Sequence, residues 1–134
     1  MKLSHLVLVT CALGLLAACS DSSGPSSPAN VNGVWITTLS LNGNRTGSVD
    51  LLLAQNGTAV TGTGRTVGVG ENMSITGSIE GRRLSISVVV GSPCPGSMQA
   101  TATVRADGQA LTGGTLTGQD CLGAVTGTFS SFKQ

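Results

Sequence analysis

Beyond residue 18, a general base in this chain would have to be a carboxylate. There is one histidine, His5, no tyrosine, and six acidic residues: Asp21, Asp50, Glu71, Glu80, Asp107 and Asp120. Acid–base work needs a group positioned against a second one. Asp50, Glu71, Asp107 and Asp120 are singly placed among polar neighbours, Glu80 adjoins a turn, and Asp21 belongs to a Ser-rich run. Serine and threonine are abundant, but none has a recognisable activating partner, so a hydrolase of the serine or cysteine type is not expected. The four cysteines, Cys11, Cys19, Cys94 and Cys121, show no Cys-x-x-Cys spacing, which argues against a metal or redox site. Beyond residue 18, Arg45, Arg65, Arg82, Arg83, Arg105 and Lys133 balance the six acids. With that balance, one Trp and two Phe, the chain offers neither a basic stripe nor a stacking platform for nucleic acid. The expectation is a non-catalytic protein without cofactor, metal or nucleic-acid partner.

The start of the chain carries an address. Leu6 to Ala18 is an apolar run behind Lys2, the length of a signal-peptide core and short of the ~20 residues a membrane-spanning helix needs. It ends in Leu16-Ala17-Ala18-Cys19, which resembles the lipobox of bacterial lipoproteins. The resemblance implies that residues 1–18 are removed and that Cys19 becomes the acylated first residue, anchoring the protein to membrane. Ser20, not Asp, follows it, which in a cell with two membranes implies sorting to the outer one. On this reading Cys11 and His5 leave with the signal peptide. Cys94 and Cys121 then remain as the one pair in an oxidising compartment, and are expected to form a disulfide closing a loop of about 28 residues, contributing on the order of 3–4 kcal/mol.

Residues 19–32 are rich in Ser, Pro and Gly after the lipidated cysteine and read as a tether, able to reach ~40 Å at 3.1 Å per residue. Residues 33–134 read as a single domain in which apolar residues alternate with Ser and Thr, the period of half-buried strands. Eight strands are expected, at about 34–41, 48–55, 58–64, 73–79, 82–90, 97–104, 109–117 and 123–130. Asn56-Gly57, Glu80-Gly81 and Asp107-Gly108 supply tight turns. The other connections, 42–47, 65–72, 91–96 and 118–122, read as longer. In a meander all the tight turns then fall at one end, with both termini, and the longer loops, with Cys94 and Cys121, at the other.

A repeat of about 50 residues supports two four-stranded halves. Val60-Thr61-Gly62 matches Leu111-Thr112-Gly113, and Ile75-Thr76-Gly77-Ser78 matches Val125-Thr126-Gly127-Thr128. Closing the sheet removes exposed edges, and inward glycines such as Gly62, Gly77 and Gly127 suit the coiling of a small barrel. The expected fold is all-β, an eight-stranded antiparallel up-and-down barrel with one disulfide; the alternative is a β-sandwich, in which the first and last strands would not pair.

Gly33-Val34-Trp35, opening the first strand, resembles the Gly-x-Trp start of calycin barrels, the lipocalins, fatty-acid-binding proteins and avidins. The resemblance implies that Trp35 plugs the barrel floor and that the far end admits a small ligand. Large side chains cluster on the second and fifth strands, and Gly and Ala line the third, sixth and eighth, which either leaves one side of the lumen under-filled or lets the small side meet the large side across the axis as in ordinary packing; Leu51, Leu53, Ile86, Val88, Ala100 and Ala102 are the candidate lining of a hollow lumen. Three functions follow as alternatives. The first is a lipid-anchored barrel binding a small apolar molecule or a partner through its distal loops. The second is an envelope protease inhibitor, since some periplasmic inhibitors resemble small disulfide-bearing barrels. The third is a structural or adhesive surface module.

Overall fold

The structure, a computed structural model, describes residues 26–134. The segment 1–18, Cys19 and the first part of the tether lie outside the described residues. Eight strands follow in order: β1 (Gly33–Leu41), β2 (Arg45–Asn56), β3 (Ala59–Thr66), β4 (Asn72–Glu80), β5 (Arg83–Val90), β6 (Gly96–Val104), β7 (Ala110–Asp120) and β8 (Gly123–Lys133). Each pairs antiparallel with the next. β1 also pairs with β8, from Trp35 opposite Lys133 to Leu41 opposite Gly127, so the sheet closes into a barrel and the sandwich alternative falls. Closure leaves no edge strand open for pairing with another chain.

Because the meander alternates direction, the connections separate into two ends. The floor carries Gly57-Thr58, Gly81-Arg82, Arg105–Gln109 and both barrel termini; the crown carries Asn42–Asn44, Val67–Glu71, Gly91–Pro95 and Cys121-Leu122. The assignment of ends agrees with the sequence reading, but the expected contrast in length does not hold. Arg45, Thr46 and Gly47 pair with Leu41, Ser40 and Leu39, which shortens the first connection to a turn with Asn42 at φ 49° and Gly43 at φ 74°. Likewise Asp120 pairs with Gly123, leaving only Cys121-Leu122 between β7 and β8. The Asp107-Gly108 turn is instead the tip of a five-residue loop, pinned where the Arg105 N–H donates to the Ala110 carbonyl at 2.8 Å and the Gln109 N–H to Asp107 Oδ1 at 2.9 Å.

The disulfide joins Cys94 to Cys121 at the crown, with Cα atoms 5.1 Å apart. Strand alternation sends Trp35, Val49, Leu53, Val60, Ile75, Ile79, Leu84 and Val104 into the interior, each at most 2% exposed. One extra residue on β7 breaks the alternation. Thr103 and Thr101 face Thr112 and Thr115, and Ser131 and Phe129 face Leu111 and Gly114, so β7 bulges against both neighbours, with Gly113 at φ 60°. The bulge turns Leu116 inward, a residue that strict alternation from Leu111 would place outside. Two hydroxyls also sit inside, Thr37 Oγ1 and Ser131 Oγ, 2.7 Å apart and satisfying each other. The outer wall is less uniformly Ser and Thr than expected: Val34, Ile36, Leu52, Val89 and Phe132 are exposed.

The inward glycines mark where neighbouring strands approach too closely for a side chain. A Cβ at Gly77 would overlap the Ser85 carbonyl oxygen, and one at Gly127 the Ser40 carbonyl, so this matched pair of the internal repeat does the same job in both halves. The other matched pair diverges, since Gly62 is crowded by the Leu52 carbonyl while Gly113 forms the bulge. Gly77→Ala is therefore expected to destabilise the barrel by about 1–3 kcal/mol through overpacking. Gly47→Ala is the control: nothing lies within 4 Å of its added Cβ and its φ is not positive. It should stabilise by about 0.4–1 kcal/mol by restricting the unfolded chain. Urea unfolding of the two variants checks the opposite signs.

Candidate functional site

The interior divides into a packed floor and a hollow crown half. At the floor Trp35 is fully buried, and its Nε1–H donates to the Val31 carbonyl at 2.9 Å. Val31 is also fully buried, and the segment around it is laced to the barrel. The Ala29 N–H donates to the Gly81 carbonyl at 2.7 Å, the Val31 N–H to Gln55 Oε1 at 2.8 Å, and the Gln55 N–H to Asn32 Oδ1 at 2.7 Å. Residues 29–32, on the tether side of the expected boundary, thus seal the floor beside Trp35. Lys133 Nζ stands 5.5 Å from the Trp35 ring centroid, within reach of its π-face.

Above this layer lies a cavity of about 450 Å³, partly open at the crown. That size falls in the range of about 300–1,000 Å³ common for small-molecule sites. Of the lining residues anticipated from sequence, Leu51, Ile86, Val88 and Ala100 face it. Leu53 and Ala102 do not line it. Their strand partners, Gly33 for Leu53 and Leu84 for Ala102, place them at the floor end, where Trp35 and Val31 take up the volume. Much of the remaining wall comes from residues not anticipated as lining, among them Leu39, Ile75, Met73, Met98 and Phe129, with Leu116 delivered by the β7 bulge. Two methionines in that wall give it an adaptable surface.

The mouth has a different chemistry. Arg45, Thr46, Ser48, Thr66, Glu71 and Asp120 contribute its polar groups. The apolar Val67, Val69 and Leu122 stand 59%, 67% and 77% exposed around it. Arg45 Nη2 donates to Asp120 Oδ2 at 2.9 Å, linking β2 to β7 past the intervening β1 and β8. The Leu122 N–H donates to Asp120 Oδ1 at 2.8 Å. That backbone donor, and then the Arg45 guanidinium, hold the Asp120 carboxyl below its ordinary range. On the floor side, Arg105 does the same to Asp107 through a bond of 2.6 Å.

Both acids bind protons less readily folded than unfolded, so their contribution is present above the ordinary carboxylate range and lost as pH falls through the depressed values. Thermal melts taken into acid should therefore decline, and Asp120→Asn should flatten that decline by lowering melting at neutral pH, its melts converging with the wild type's in acid.

Among the described residues no group of three or more His, Cys, Asp and Glu side chains could hold a metal ion. An opening at this end is what the sequence implies, but its charged pair is not, because Arg45 and Asp120 fall in stretches that read as loop. The signal that could have found them is their position flanking the crown turns, Arg45 opening β2 and Asp120 closing β7.

No family model matches the chain, and no curated protein matches it. Among solved structures, the chain is similar to a redesigned β-barrel, with a TM-score of 0.55 at 13% identity, covering 77% of this chain and 90% of that one. At that identity the likeness concerns the fold alone, a small closed barrel, and the interior chemistry rests on this chain's own residues.

Proposed function

We propose that this protein is a lipid-anchored envelope lipoprotein whose non-catalytic barrel holds a small apolar ligand in the crown half of its lumen. The observation that carries the reading is the cavity of about 450 Å³, walled by aliphatic, methionine and phenylalanine side chains and opening at one end only of a barrel whose floor is sealed. An eight-stranded barrel is just wide enough to be filled by side chains or to take one small ligand. Here the floor follows the first course and the crown the second. Transfer of apolar surface into such a space is favourable at about 25 cal/mol per Å².

The non-catalytic part of the reading rests on the sequence, in which no serine or threonine has a recognisable activating partner. The anchor is supported by the lipobox resemblance at Cys19. With the polypeptide entering at the floor, where Ala29 is held to Gly81, an anchored barrel would stand with its mouth away from the membrane.

Ala100→Phe tests the luminal site. Ala100 is 5% exposed, faces the cavity and pairs with Ile86 and Leu116, so a phenyl ring there occupies the space a ligand would use. The wild-type chain is expected to bind N-phenyl-1-naphthylamine with a rise in fluorescence and a higher melting temperature, and Ala100→Phe to lose at least about tenfold in affinity while still folding. Equal binding by both chains would show that the probe sits elsewhere.

A further inference from the structure

Resting on the luminal reading above, we infer that the ligand is an amphiphile with a hydrocarbon body and an uncharged carbonyl-type acceptor at its head, an acyl ester or amide, which is received by Arg45 at the mouth. The depth of the cavity is apolar, walled by Ile75, Ile86, Val88, Ala100 and Phe129, and its polar and charged side chains gather at the crown. A group polar at its inner end would lose its hydration there and gain no partner. A pure hydrocarbon fits the depth but leaves the mouth unused.

The charge at the mouth decides what kind of head fits. Arg45, Asp120 and Glu71 are its charged lining residues, and Arg45 is already neutralised by Asp120 at 2.9 Å, so the sum is one negative charge. A carboxylate or phosphate head would enter against that charge. Yet Arg45 still has donors to give. A guanidinium presents five N–H donors; Nη2 is engaged by Asp120, while Nε is covered and has no acceptor. A covered donor without a partner is costly, and most are satisfied in folded proteins. The side chain as a whole is 34% exposed, so its unengaged edge can turn to an arriving head. A carbonyl oxygen supplies the acceptor without adding charge. An ammonium head would meet Glu71 favourably but offers Arg45 nothing to donate to.

The test is displacement of N-phenyl-1-naphthylamine from the full chain, at neutral pH, by probes of equal chain length: an n-alkane, its methyl ester, its carboxylate and its amine. The ester should bind tightest, about five- to tenfold more tightly than the alkane. Arg45→Met should bring the ester down to the alkane's affinity and leave the alkane within about twofold. The ranking on the wild-type chain stands without any variant. A carboxylate or amine that binds tighter than the ester overturns the assignment of the head, as does an ester advantage that survives Arg45→Met. If no probe displaces the dye, or Ala100→Phe binds all four as the wild type does, the luminal reading itself fails, and the head assignment with it.

Discussion

Trp35→Ala is expected to lower the unfolding free energy by about 3–5 kcal/mol, the usual cost of deleting a fully buried tryptophan. Three consequences converge at that position. The ring fills the floor of the barrel at zero exposure, so its loss opens a void that the closed sheet cannot collapse to fill. Its Nε1–H satisfies the Val31 carbonyl, which would be left buried without a donor. Its face receives Lys133 from β8, at the seam where the barrel closes. Since a small domain of this size loses about 4–8 °C in melting temperature per kcal/mol, the variant should melt at least about 12 °C lower, followed by far-ultraviolet circular dichroism because the chain's one tryptophan is gone. Trp35→Phe should fall between the two, restoring most of the packing and none of the hydrogen bond.

The second large effect is expected from removing the disulfide. Cys94 and Cys121 are 27 residues apart, and closing a loop of that length restricts the unfolded chain by about 3–4 kcal/mol. The Cys94→Ser/Cys121→Ser chain should lose about that much in urea unfolding. Its effect should differ in place from that of Trp35→Ala. The bridge joins two crown connections and Cys94 itself lines the cavity, so the double variant should also weaken binding of the apolar dye, whereas the floor's hydrogen-exchange protection should fall only with global stability. Reduction of the wild type under native conditions should reproduce both changes.

Much of this architecture could be read from residue order because two simple periods carry it. Alternation of apolar with Ser and Thr residues specifies one dry face per strand, and the meander brings Cys94 and Cys121 to one end whatever the lengths of the connections. What escaped was set by closure. The barrel carries β2 back to Arg45 and β7 on to Asp120, beyond the stretch where alternation is visible, and so converts two expected loops into tight turns and places a charged pair at the mouth. The β7 bulge shifts Leu116 by one position, an event that the Gly113-Gly114 pair permits but does not by itself announce. Val31 looked like tether because its neighbours are polar; it is buried because the Trp35 indole needs an acceptor and the floor needs a cover. Leu53 and Ala102 have the side chains expected of lining residues, but their register puts them below the cavity.

The division of one lumen into a plugged floor and an open crown is what the functional account depends on. Native mass spectrometry of the protein, taken from the cells that make it, tests this most directly. The account predicts a folded species carrying one small-molecule adduct that is released on unfolding and is missing from Ala100→Phe. A wild-type chain that flies folded and bare, with the same occupancy as Ala100→Phe, would contradict it.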